Sequence, residues 1–126
     1  MNLIEKALEI ALSAHKGQTD KAGAPYILHP IRVMSKVTQE DEMVVALLHD
    51  VIEDSAITAD DLLRFGMPSP IVDAVACLTK QTGESYDQFI DRICQNDLAR
   101  RVKVADIEDN LNILRLGDIK SKDLER

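Results

Sequence analysis

The stretch Met43-Val44-Val45-Ala46-Leu47-Leu48-His49-Asp50-Val51-Ile52-Glu53-Asp54 decides how this sequence is read. Its first six residues are apolar on every side of a helix, and a segment that is apolar all round belongs at the centre of a protein. Its second half breaks that pattern. At about 100° per residue, His49, Asp50, Glu53 and Asp54 span about 140° of one helical face, with Val51 and Ile52 on the other. Three carboxylates and an imidazole thus share one patch at the end of a central helix, where desolvation is costly. Two readings follow: a solvated helix end carrying ordinary acids, or a patch stabilised by a bound cation.

Working outward, every other segment also reads as helix. Leu3, Ile4, Ala7, Leu8, Ala11, Leu12 and His15 repeat every three or four positions, which predicts a helix over about 2–16 ended by Gly17. Residues 18–26 carry Gly23 and Pro25 among polar neighbours and read as a loop. Pro30 then suits the first turn of a second helix to about Thr38, with His29 at its entrance. The third helix covers about 41–53. Thr58 and Asp61 form a capping signature for a fourth that stops near Gly66, and two more lie near 69–79 and 85–95. The last runs from about Leu98 to Leu116, with Val104, Ile107, Leu111 and Leu114 as its expected core stripe and Glu108 and Asp109 expected at the surface. The fold class is therefore all-α: an irregular single-domain bundle of about seven helices spanning 1–126, with 119–126 as a frayed tail or a fragment of a further helix.

Composition narrows the function. The 126 residues suit one domain and exclude a bifunctional enzyme, and 45% hydrophobic residues argue for a packed core. Two Phe, two Tyr and no Trp leave that core to aliphatic side chains, against an all-β sandwich. No apolar run approaches the roughly 20 residues of a membrane span, and the start lacks a signal-peptide pattern, so a cytoplasmic protein is expected, with no membrane partner. Cys77 and Cys94 sit in apolar helical contexts and read as core thiols without chemistry. With 22 acidic against 15 basic residues the net charge is −7, which disfavours DNA or RNA as a partner and suits a metal site if carboxylates converge with histidines.

The three histidines, His15, His29 and His49, allow that to be checked. Asp106 and Asn110 lie one turn apart on the last helix and face one side. Taken singly, each feature has a bland explanation: surface polarity for Asp106 and Asn110, a capping or core role for His29, a solvated helix end for His49-Asp50. Together, on the short helices of one small bundle, they favour a shared His, His-Asp, Asp metal site.

The order His29, His49-Asp50, Asp106 resembles the HD superfamily of metal-dependent phosphohydrolases. The segments His15-Lys16-Gly17-Gln18, Pro25-Tyr26-Ile27-Leu28-His29-Pro30, Ala46 to Asp54, Phe65-Gly66, Leu78-Thr79-Lys80 and Val104-Ala105-Asp106 with Asn110 are similar to the hydrolase domain of RelA/SpoT enzymes and their small stand-alone homologues. That resemblance implies an HD-domain fold and one divalent cation, typically Mn²⁺, held by His29, His49, Asp50 and Asp106. It implies that Glu53 and Asp54 orient and deprotonate the attacking water, and that Asn110 and Lys21 contact the nucleotide. The implied reaction removes the 3′-pyrophosphate of guanosine 3′,5′-bis(diphosphate) or a close analogue to give GDP or GTP. Another nucleotide substrate, hydrolysed by a 5′-nucleotidase or phosphodiesterase, and a non-catalytic alarmone-binding module are the alternatives.

The chain departs from that pattern in two places. Asp20-Lys21 stands where two adjacent basic residues are usual, which sets an anion near the expected nucleotide. The sequence also stops soon after Asn110, so the site is either more open than in longer relatives or covered by another subunit of a homo-oligomer.

Overall fold

The computed structural model describes the backbone of residues 1–124 and the side chains of residues 1–112. Eight helices and no strand occur among the described residues: α1 Leu3–Ala14, α2 Leu28–Ser35, α3 Glu40–Leu48, α4 Val51–Asp54, α5 Ala59–Arg64, α6 Ser69–Cys77, α7 Tyr86–Cys94 and α8 Asp97–Leu124. The seven expected helices are all present, and the third is divided. Its break falls at His49-Asp50, where Asp50 takes φ −104° and ψ 1°, away from helical values, and α4 begins again at Val51.

Local chemistry accounts for most boundaries. Asn2 caps α1 reciprocally with Glu5, Thr58 caps α5 with Asp61, and Ser85 caps α7 with Gln88, each pair satisfying amides that a helix start leaves open. Gly17 follows α1 at φ +80°, a conformation that costs glycine little. The helix α8 continues through Gly117 to Leu124, beyond the expected stop at Leu116. A helical glycine costs only about 1 kcal/mol relative to alanine, too little by itself to end a long helix.

The centre of the bundle is α3, packed against α1, α2, α6 and α8. Val44, Val45, Ala46, Leu47 and Leu48 are wholly buried, as an all-round apolar helix requires. Ala7 and Ala11 of α1 and Val33 of α2 meet it, small and β-branched side chains that let the helices approach closely. Because α3 is enclosed, whatever follows Leu48 emerges from the middle of the protein.

Two expectations about packing are corrected. The inward face of α8 is Val102, Ala105, Asp106 and Asp109, whereas Val104 is 54%, Ile107 39% and Leu111 48% exposed. Both sets have helical spacing, and the set with two aspartates wins because those carboxylates find buried cationic partners. Leu114 lies outside the residues whose side chains are described. Both cysteines are free, but Cys94 is exposed and Cys77 only half-buried. Phe89 and Ile93 form the inward stripe of α7, so Cys94, one residue further round, turns outward. Among the described residues no helix is long and apolar enough to cross a membrane.

Truncation separates the two faces of α8. Val102→Ala should cost about 2 kcal/mol of unfolding free energy, and Leu111→Ala no more than about 0.5 kcal/mol. Urea unfolding of both variants checks this, and the reverse order would mean that the expected stripe faces the core after all.

Candidate metal centre and active site

Four side chains converge where α2, the α3–α4 junction and α8 meet. His29 comes from the first turn of α2, His49 and Asp50 from the break after α3, and Asp106 from the inward face of α8. Asp106 Oδ1 lies 2.8 Å from His29 Nε2 and 3.3 Å from His49 Nε2. Asp50 Oδ2 lies 3.0 Å from His49 Nε2 and 3.8 Å from His29 Nε2. One donor atom each from His29, His49 and Asp50 falls within 4.8 Å of the others. The set that the sequence scatters over 78 positions is thus one cluster, with both histidines nearly sealed from solvent.

The rings are aimed. His29 Nδ1 donates to Asp109 Oδ2 at 2.7 Å, and His49 Nδ1 donates to the Ala46 carbonyl at 2.6 Å. Each Nδ1 proton is therefore taken by an outer acceptor, and both Nε2 atoms point into the cluster. Two imidazole nitrogens and two carboxylates, with the second nitrogen of each ring tied down, form a donor set that fits a divalent cation of borderline softness. Other sites of this chemistry leave positions free for water and substrate.

Within the cluster the side chains shift one another's proton affinities. Burial pushes the His49 imidazole down, but the Asp50 charge and hydrogen bonds with Asp106 and Asp50 lift it well above its ordinary value. His29 is also raised, with bonds to Asp106 and Asp109 outweighing burial. Burial would raise Asp50, yet the charge of His49 and bonds from His49 and Tyr26 bring it down to about 2. Asp106 is held far below the usual carboxylate range against its own burial by bonds from His29 and His49. The imidazoles and carboxylates thus offset one another's charge, which lets the patch be buried.

Glu53 and Asp54 lie on α4, exposed at the rim. Both are raised, first by partial burial and then by the negative charge of Asp50, so both bind a proton more readily than a free carboxylate. Asn110 is exposed on α8 one turn beyond the cluster, with Nδ2 3.4 Å from Asp106 Oδ1. Lys21 is exposed in the 18–26 loop, outside the side chains that touch the cluster. Its neighbour Asp20 is used within that loop: Oδ1 accepts from the amides of Ala22 at 2.9 Å and Ala24 at 3.0 Å. The expected anion beside the nucleotide is thus largely occupied in holding the loop, as short polar side chains in turns often are.

Three contributors escaped the sequence reading. Asp109, expected at the surface, is 2% exposed and joins His29 to Arg32, whose Nε lies 2.8 Å from Asp109 Oδ1. Its position one turn from Ala105 on the buried face was the signal, overlooked because hydropathy scores aspartate as surface. Lys103 places Nζ 3.1 Å from Asp106 Oδ2. Tyr26 donates its hydroxyl to Asp50 Oδ2, and burial together with the Asp50 charge pushes the phenol up so that it keeps its proton.

Fold and site together define an all-helical HD-type domain, with a His, His-Asp, Asp cluster at the junction of its central helices. The chain is homologous to SpoT-type (p)ppGpp hydrolases. It is 32% identical, over 88% of its length, to the guanosine-3′,5′-bis(diphosphate) 3′-pyrophosphohydrolase of Vibrio cholerae serotype O1, of which it covers 18%. It is 30% identical, over 90% of its length, to a GTP pyrophosphokinase of Myxococcus xanthus, of which it covers 17%. The chain therefore spans under a fifth of these relatives. A solved metazoan ortholog of SpoT, described as hydrolysing ppGpp, superposes with a TM-score of 0.78 at 26% identity, over 92% of this chain and 72% of that one. No family model matches the chain.

Asp109→Ala leaves His29 Nδ1 buried without a partner. It should destabilise the metal-free protein by about 1–3 kcal/mol in urea unfolding. An unfolding free energy within about 0.5 kcal/mol of wild type would show that Asp109 does not hold the ring.

Proposed function

We propose that the protein hydrolyses guanosine 3′,5′-bis(diphosphate) or a close analogue at this cluster, releasing the 3′-pyrophosphate and leaving GDP or GTP. The observation that carries the reading is the convergence of His29, His49, Asp50 and Asp106 from separate elements, with both Nε2 atoms turned inward. The relatives named above differ in direction, one named for hydrolysis and one for synthesis. The solved relative supports hydrolysis, because this chain covers most of a protein described as hydrolysing ppGpp.

In this reading His29, His49, Asp50 and Asp106 hold one divalent cation, with Mn²⁺ the best match to two imidazoles and two carboxylates. When bound, such a cation polarises a phosphoryl oxygen and makes water a stronger acid. The chain's own residues do the rest. Glu53, on α4 and raised by partial burial and then by Asp50, accepts the proton of the attacking water, and Asp54 orients that water. Asn110 and Lys103 flank Asp106 on the same side of α8, where an amide and an ammonium can meet the phosphates. Lys21 supplies a second cation from the loop.

Activity should vanish with a chelator and return with Mn²⁺, less well with Mg²⁺, whose preference for oxygen ligands suits two histidines poorly. Chromatography of the products checks the reaction type: pyrophosphate with GDP supports the proposal, whereas orthophosphate points to a different nucleotide hydrolase. Turnover that persists in excess EDTA would remove the cation from the mechanism.

Ligand and base should separate on mutation. His49→Ala should lose metal, measured as bound Mn²⁺ per chain. Glu53→Gln should keep it and lose about 10²- to 10⁴-fold in kcat. Wild-type turnover by Glu53→Gln at equal metal content would assign the proton to another group.

A further inference from the structure

Tyr26 touches the cluster, yet none of the roles assigned above uses it. It ends the 18–26 loop, and its amide donates to the Gln18 carbonyl at 2.9 Å. Its ring packs between two imidazoles, 4.9 Å from His15 and 5.7 Å from His29 between centroids. Its hydroxyl donates to Asp50 Oδ2, the same oxygen that lies 3.0 Å from His49 Nε2. The phenol therefore reaches the oxygen that faces the other proposed ligands.

The far side of that ring is braced. His15 is 2% exposed, and its Nδ1 is 2.9 Å from Gln18 Oε1. Gln18 Nε2 in turn donates to the carbonyls of Asp54 at 2.9 Å and Ala14 at 3.3 Å. One glutamine thus ties the end of α1, the strut behind Tyr26 and the last residue of α4. His15 Nε2 is buried without a partner, so this ring serves through its Nδ1 bond and its packing on Tyr26.

We infer that Tyr26 is a positioning residue for Asp50. A carboxylate oxygen has two lone pairs, and the phenol takes one of them on Oδ2, fixing the rotation of the carboxylate and leaving the other for a cation. The inference rests on the metal-centre reading and adds to it a residue that touches neither cation nor substrate. His15 and Gln18 then have a joint purpose, as the support that keeps this phenol in place.

Tyr26→Phe tests this because it keeps the ring between the two imidazoles and removes only the hydroxyl, while Asp50 Oδ2 retains His49. Isothermal titration of the full metal-free chain with Mn²⁺, for wild type and variant, reads the affinity directly. Thermal unfolding of both metal-free proteins reads the fold. The expected result is Mn²⁺ affinity weakened about 10- to 100-fold at an unchanged metal-free melting midpoint. Equal Mn²⁺ affinities overturn the inference whatever the melting midpoints, because a merely structural hydroxyl would move only those. A wild type with no saturable Mn²⁺ binding overturns the metal-centre reading itself, and the role of Tyr26 falls with it.

Discussion

The bridge made by Asp106 Oδ1, within hydrogen-bond reach of both His29 Nε2 and His49 Nε2, governs the rest of this structure. It brings a carboxylate from the end of the chain into the middle of the bundle, beside the end of the most buried helix. A carboxylate there without partners would cost several kcal/mol, and with two imidazoles it becomes a fixed point. Given that anchor, α8 has a single rotation about its own axis. Val102 and Ala105 then fall inward with Asp106, and Val104, Ile107 and Leu111 fall outward.

The same logic explains Asp109. One turn of helix beyond Ala105, it enters a pocket between His29 and Arg32 and accepts from His29 Nδ1 and Arg32 Nε. Arg32 is partly exposed, so the pair is reached by solvent on one side and avoids the full desolvation of a buried ion pair. Its effect on the site is orientational: with Nδ1 committed to Asp109, His29 has only Nε2 to offer the cluster. His49 reaches the same state by a different route, donating to a carbonyl of its own helix. Two rings with different anchors thus present the same nitrogen.

The division of the third helix has a comparable consequence. Had α3 run on unbroken, His49, Asp50, Glu53 and Asp54 would share one face and crowd their charges. The turn at Asp50 instead leaves His49 and Asp50 in the centre and carries Glu53 and Asp54 to the rim. His49 is buried and Asp50 largely so, whereas Glu53 and Asp54 meet solvent, a separation that would suit the proposed site, with its cation inside and water at the rim. Gln18 holds the far end of α4 through the Asp54 carbonyl, so the rim is tied to the same loop that carries Tyr26.

Local sequence determined the order of the helices and all of them but the division of the third. The apolar run 43–48, the cap at Thr58 and the stop at Gly17 act over a few residues, and short-range physics is enough to read them. The convergence of His29, His49, Asp50 and Asp106 was also legible, because histidine beside aspartate at the end of an apolar helix is costly without partners. Tertiary structure alone decided which face of α8 is buried, that Asp109 is a core residue and that Cys94 is not. Each of these turns on a partner distant in sequence or on a competition between faces of one helix. Hydropathy scores a residue by itself, whereas the free energy of a buried aspartate depends on the imidazole or guanidinium it meets, and that meeting exists only once the helices have packed.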